Sequence, residues 1–402
     1  MAQPFKSNSH FTLGVELELQ TVDRETGALT PAIGPILDKV PEKWKDSFKP
    51  EFMQSYCEIN TGVCRTVAEV ERDLSEKLAW LHDAGEAMGI DFVWAGTHPF
   101  SRWEHQKITP GERYQWLLNA MQDISRRLLI FGLHVHVGVD SGDKAIHLCD
   151  RLLKHLPALL ALSANSPFFC GRDTGLQSYR SKIIEALPTA GMPTPMRNWS
   201  EYVWLINHLI NTKFISSNRE IWWDLRPHAG FGTVEMRIFD MPLNMRHTLG
   251  LVALTQCLIA AISEHIDDGA YQFDTHPMIA KQNKWHASRY GLDASFVDFD
   301  TMQAVPAKAM IRRMVERCDP HAEKLGCTKE LHYIDEILEH GTGAQRQRTI
   351  FEQTGDLRQV VRFLVEESAP SKSARQAPLG LGREVQARPA TSRTAIPGVI
   401  PA

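Results

Sequence analysis

The stretch FTLGVELELQ, Phe11 to Gln20, decides how this chain must fold. Strict alternation puts Phe11, Leu13, Val15, Leu17 and Leu19 on one side of a β-strand, and Thr12, Gly14, Glu16, Glu18 and Gln20 on the other. The apolar side calls for a cover of helices. The polar side holds two carboxylates about 7 Å apart along the strand. Like charges at that spacing raise each other's pKa unless a cation separates them. Taken alone, the pattern also fits a half-exposed strand with two solvated glutamates, because charged residues are mostly exposed. Three later strands repeat the device and weigh against that plain alternative.

The first repeat is in EFMQSYCEIN, where Tyr56, Glu58 and Asn60 share a face. Glu51 lies seven residues before Glu58, so on an unbroken strand the two would point oppositely. A bend or bulge is expected between them if both serve one site. The second is FGLHVHVGVD, Phe131 to Asp140, with His134, His136, Gly138 and Asp140 opposite Leu133, Val135, Val137 and Val139. The third is in IWWDLRPHAGFGTVEMRIFD, with strands near Trp222–Arg226 and Thr233–Phe239 joined by a glycine-containing loop. There Thr233, Glu235, Arg237 and Phe239 share one face. In one antiparallel sheet with helices on the apolar face, Glu16, Glu18, Glu58, His134, His136 and Glu235 form a floor of ligands beside Arg237. Rich in oxygen, without Cys at ligand spacing, such a floor suits Mg²⁺ or Mn²⁺ better than Zn²⁺. His-x-His is also a zinc signature, but no partner motif with zinc spacing accompanies it.

Between these strands the pattern turns helical. Thr66 to Glu69 reads as a capping box opening a helix with Val67, Val70, Leu74, Leu78 and Leu81 on one face. Thr109 to Glu112 reads as a second capping box. A Leu-rich helix is expected at about 143–164, another at Trp199–Thr212, and helices from Asn244 to about Glu366, with Asp356 capping the last. Residues 166–198 contain four prolines and break every period; they carry Arg172, Arg180 and Lys182. Irregular stretches of that length inside a domain are usually functional. Ser368 to Ala402 has no apolar period and reads as a disordered tail behind one catalytic domain, 1–367.

Composition narrows the class. A chain of 402 residues, 43% hydrophobic and with a formal charge of -4, can build a large core and is not a general nucleic-acid binder. Leu249 to Ile262, the longest apolar run, is too short for a membrane span and reads as a buried helix. MAQPFKSNSH has no apolar core of a signal peptide. Seven cysteines without a CxxC pair point to reduced thiols in a cytoplasm.

GVELEL, the Glu58 strand, GLHVHVG, the SYR of the irregular loop and WWDLRP…GTVEMRIFD together resemble the glutamate–cysteine ligase type 2, or carboxylate–amine ligase, family, over about residues 11–365. The resemblance implies an α+β glutamine-synthetase-like fold, shared with guanidino kinases: a curved antiparallel sheet holding metals and ATP on its concave face, with helices on the outer face. It implies that Glu16, Glu18, Glu51, Glu58, His134 and Glu235 bind metal, with Asp in place of Glu51 in related ligases. It further implies that Arg237 lies near the phosphates and that Arg180 contacts substrate. The expected reaction joins the γ-carboxylate of glutamate to cysteine at the expense of ATP, with small-molecule partners only. A phosphotransferase of the same fold and a non-catalytic nucleotide- or metal-binding regulator are the alternatives. The amine, the metal count, any role of His136 as a ligand and the oligomeric state, a homodimer included, stay open.

Overall fold

The computed structural model describes residues 4–270 and 276–369. At its centre is a seven-stranded antiparallel sheet: β1 (Leu13–Asp23), β2 (Phe48–Lys49), β3 (Tyr56–Asn60), β4 (Ile90–Val93), β5 (Gly132–Gly138), β6 (Leu225–His228) and β7 (Thr233–Asp240). The spatial order is β6-β7-β5-β1-β3-β2, and β4 pairs with the end of β1. The α+β expectation therefore holds. Leu13, Val15, Leu17 and Leu19 are at most 1% exposed and meet Leu133, Val135, Val137, Val234 and Met236 in one core. Truncating any one of these leucines to Ala would cost about 2–5 kcal/mol, since a packed core collapses only partly into the hole.

The helices that matter here are α1 (Val67–Glu86), α2 (Glu112–Met121), α3 (Gly142–Leu152), α4 (Leu156–Ser163), α5 (Arg180–Ile184), α6 (Trp199–Asn211), α7 (Met245–Asp267), α8 (Pro277–Tyr290), α9 (Ala307–Leu325) and α10 (Leu357–Ser368). Of these, α1, α3, α4, α5, α7 and α10 pack against strands of the sheet. Thr66 caps α1 by accepting from the Glu69 amide, and Asp356 caps α10 by accepting from Arg358. The Leu-rich segment breaks near His155 into α3 and α4, with Pro157 in the first turn of the second helix. Thr109 caps nothing: Gly111 precedes α2 at φ 150°, and the Thr109 hydroxyl donates to the Glu51 carbonyl instead. The apolar run Leu249–Ile262 belongs to a 23-residue helix, long and apolar enough by itself to cross a membrane; most of it is buried in the core. The segment expected to be a tail starts too early, because the Ser368 hydroxyl accepts from the Trp94 amide and donates to the Leu364 carbonyl. The rest of that segment, from residue 370, lies outside the described residues.

Candidate active site

Antiparallel register brings the acids and histidines together in rows across the sheet. In one row Arg226 lies opposite Glu235, Glu235 opposite His136, and His136 opposite Gly14. In the next His134 lies opposite Glu16, and Glu16 opposite Asn60. In a third Glu18 lies opposite Glu58, and Glu58 opposite Lys49. Of the expected bend or bulge between Glu51 and Glu58, the structure has a bend. The chain reverses after β2 and returns as antiparallel β3, so Glu51 sits in the connection, where Thr109 holds its carbonyl and the Tyr114 hydroxyl holds that of Pro50.

This face is not a solvated one. The side chains of Glu235, His134, His136 and Glu58 are 1%, 4%, 7% and 8% exposed, and those of Glu18 and Glu16 are 14% and 21% exposed. Two adjoining cavities of about 390 and 340 Å³ lie over it and share Glu16, Lys49 and Phe231. The first holds Glu18, Glu51, Glu58, Arg180 and Arg237, and the second runs past Gly14, Val63 and Thr233.

The acids fall into two electrostatic groups. Glu235 takes a two-point contact from Arg226, 2.7 Å at Nε, and a further bond from Arg237. Burial opposes its charge, but Arg226 and Arg237 outweigh that and hold its carboxyl well below the usual range. Burial likewise opposes the charge on Glu16. A hydrogen bond to His134 Nδ1 at 3.0 Å and the nearby His136 ring, its Nε2 3.4 Å away, prevail and keep it low. Glu18, Glu51 and Glu58 behave oppositely. Burial pushes Glu18 up to about 7, with Glu58 adding and Arg180 opposing. Burial raises Glu51, with Glu18 adding, and raises Glu58 well above its usual value, with Glu51 and Glu16 adding. A carboxylate cluster that lacks enough positive charge to ionise is what a cation site looks like without its cation.

The donor atoms fit divalent ions. One ligand atom each from Glu16, His136 and Glu235 lie within 4.8 Å of one another. His136 Nε2 is 3.9 Å from Glu235 Oε1, and His134 Nε2 is 4.0 Å from Glu18 Oε1. Both ring nitrogens are buried and have no hydrogen-bond partner. Ligands about 2.1 Å from one ion stand roughly 3–4 Å apart, so these gaps match the ion they would share. Thr233 orients His136 through Nδ1 at 3.0 Å, and Glu16 orients His134 through Nδ1, as second partners of ligating histidines do. Burial and Arg237 push His134 down to about 4, which keeps its ring neutral and fit to ligate.

Arg180 and Arg237 meet at a flaw in the sheet. The register of β7 with β5 shifts between Met236 and Phe239. This bulge leaves Arg237 over the floor and turns Phe239 into the core, away from the face on which alternation alone places it. The Arg180 guanidinium donates to the carbonyls of Arg237 and Ile238 at 3.3–3.4 Å, while Nε of each arginine has no partner. Arg180 reaches this point by crossing Gly132: a Cβ there would come within 2.3 Å of its guanidinium. Arg226 was not among the residues singled out from the sequence, although alternation from Asp224 already places it on a polar face.

Comparison with known proteins bears on the family and the fold. A family model described as glutamate-cysteine ligase family 2 matches residues 12–363. A Rubrobacter xylanophilus protein provisionally named glutamate–cysteine ligase 2-1 is 44% identical over 364 residues, 90% of this chain and 96% of that one. A Gloeobacter violaceus protein, provisionally named glutamate–cysteine ligase 2, is 44% identical over 90% of this chain and 98% of its own. Among solved structures, a Francisella tularensis glutamate–cysteine ligase in complex with AMP superposes with a TM-score of 0.68 at 12% identity, covering 91% of each chain. A Pasteurella multocida bifunctional glutathione synthetase gives 0.66 at 14% identity, over 89% of this chain and 52% of that one. At such identities the two structures establish the fold alone.

Proposed function

The chain belongs to glutamate–cysteine ligase family 2, and from that premise we propose that it is an ATP-dependent carboxylate–amine ligase whose leading substrates are glutamate and cysteine. The observation that carries the reading is the buried acid floor, with two histidine nitrogens left unpaired beside carboxylates 3.9 and 4.0 Å away. Glu16, His136 and Glu235 would hold one cation, and Glu18, Glu51 and Glu58 with His134 another. When bound, Mg²⁺ or Mn²⁺ supplies charge neutralisation of ATP and in-line alignment of the transferring phosphoryl group.

The remaining roles fall to protein groups. Arg237, fixed by Glu235, would stabilise negative charge spreading onto phosphate oxygens. Arg180, with a free Nε and Glu18 nearby, would orient the carboxylate to be activated. The smaller cavity would take the nucleotide base, between the exposed faces of Phe231 and Val63 and over Gly14. Gly14 is central in the sheet, yet a Cβ there would meet only His136 Cβ at an ordinary 3.5 Å. The fold does not require glycine at that place; an open lobe does.

The carboxylate oxygen attacks the γ-phosphorus, releasing ADP and forming an acyl phosphate. The amine nitrogen then attacks the carbonyl carbon and expels phosphate. No side-chain nucleophile takes part. The seven cysteines are all free thiols, in keeping with a reducing cytoplasm, and none lines either cavity. The deciding experiment is an ADP-release screen with Mg-ATP against a matrix of amino acids and amines. ADP and phosphate should appear in equal amounts, and only when carboxylate, amine and divalent metal are all present. Phosphate release indifferent to the amine, or turnover persisting in EDTA, would sink the ligase reading.

A further inference from the structure

Arg180 and Arg237 face the same floor but come from weakly self-supporting pieces: a five-residue helix, α5, and a strand bulge. A single helical turn does not hold itself in water, so its position must come from its neighbours. On one side Asp240 grips the segment, accepting from the Ser166 and Ser178 hydroxyls at 2.7 and 2.8 Å. On the other side stands α8. The Ser288 carbonyl accepts from the amides of Gln177 at 2.8 Å and Ser178 at 3.1 Å, and its hydroxyl lies 3.0 Å from that of Ser181.

One turn earlier on the same helix face is Lys284, only 2% exposed. Its ammonium lies 2.5 Å from Glu185, the residue that ends α5, and 2.5 Å from Asp224. The carbonyl of Asp224 in turn accepts the Arg237 amide at 2.8 Å, at the bulge. One buried cation therefore joins the carrier of Arg180 to the carrier of Arg237. It lines neither cavity over the floor. Burying an ammonium between two acids is a poor source of stability, because desolvation offsets most of the attraction; apolar replacements often serve as well. What the arrangement does provide is a fixed geometry.

We propose that Lys284 is a positioning residue: by pinning Glu185 and Asp224 to one point it sets Arg180 relative to Arg237 at the bulge. The proposal rests on the ligase reading for its kinetic consequence but not for its structural one.

The test uses two variants of the full chain. Lys284→Met combined with Asp224→Asn removes the link without stranding a buried charge, since Glu185 keeps Lys182 at 2.7 Å. Lys284→Arg keeps a cation able to bridge both sites. Hydrogen exchange in peptides covering residues 177–187 should speed at least tenfold in the double variant while its melting curve stays cooperative. The KM for Mg-ATP should stay within threefold, and kcat/KM for the carboxylate substrate should fall at least thirtyfold. Lys284→Arg should stay within threefold of the parent in both. Unchanged exchange at residues 177–187 would overturn the proposal, as would a folded double variant with unchanged carboxylate kinetics, or Lys284→Arg losing as much as the double variant. If the parent turns over no carboxylate–amine pair, the ligase reading falls and the exchange result alone decides this one.

Discussion

Glu18→Gln should make the metal-free protein more stable at alkaline pH while disabling the site. The Glu18 carboxyl is 14% exposed, faces Glu58 across the β1–β3 pair and accepts from the Gly132 amide. Burial raises it from 4.5 to about 7, helped by Glu58 and opposed by Arg180. A folded-state pKa raised this way gives stability that is fully present below about 4.5 and lost as pH rises through about 7. Above that point the ionised carboxylate costs the fold on the order of 3 kcal/mol. Residual structure in the unfolded chain trims what a mutant recovers, leaving about 1–3 kcal/mol. Gln keeps the shape, still accepts from Gly132 and carries no charge. In EDTA at pH 8 its melting temperature should therefore exceed the parent's by a few degrees. The gap should narrow through pH 7 and 6 and vanish near pH 5. Scanning calorimetry of both proteins at these four pH values checks it. A Gln variant that melts below the parent at pH 8, or a difference that ignores pH, refutes the picture of an under-neutralised acid cluster.

Glu235→Gln should have the opposite sign: it strips the partner from Arg226 and Arg237 in a fully buried setting, so denaturant melts should show a loss of about 3–5 kcal/mol. Glu16→Gln should stay folded but need a much higher metal concentration for half-maximal rate and lose orders of magnitude at saturation; unchanged metal dependence in a rate titration would remove Glu16 from the ligand set. Adding Mg²⁺ or Mn²⁺ at about 100 times its dissociation constant should stabilise the parent by about 2.7 kcal/mol, and EDTA should reverse this; in Glu16→Gln the gain should shrink. Gly14→Val should fold normally and raise the KM for ATP at least tenfold with little change for the carboxylate; an unchanged ATP KM would move the base out of that lobe.

How much of this was legible beforehand depends on how regular each strand is. Period-two alternation over β1 and β5 is unbroken, so Glu16, Glu18, His134 and His136 could be set on one face, and the antiparallel sheet with its helical cover followed. In β7 the same rule works up to Arg237 and fails at Phe239, because a bulge adds a residue that no alternation pattern reports. Glu51 defeated the rule differently. The strand before it, β2, is two residues long and has no period, so the sequence does not tell a bend within one strand from a full chain reversal. Lys284 was out of reach. In a helix reading PMIAKQNKWHASRY it resembles any solvated lysine, and the acids that bury it arrive from Asp224 and Glu185, far away in the chain.

The same contrast separates the parts of the molecule that fold from the parts that act. Leu13, Val15, Leu17 and Leu19 satisfy every local preference at once: strand-forming spacing, burial and a common core. Glu18, Glu51 and Glu58 satisfy none, for they are largely shielded from solvent, close, alike in charge and pushed toward protonation. Natural sequences tolerate such conflicts mainly where a ligand later relieves them. Here Glu18 sits on the reverse side of β1, one residue from its buried leucines, and faces Glu58 on β3. That placement is itself an argument for function. A rigid apolar face holds the carboxylates at strand spacing, where they cannot swing apart to relax their repulsion, so only added positive charge can relieve it. A floppier element would let the acids reach solvent, and the site would lose both its affinity for cations and its geometry.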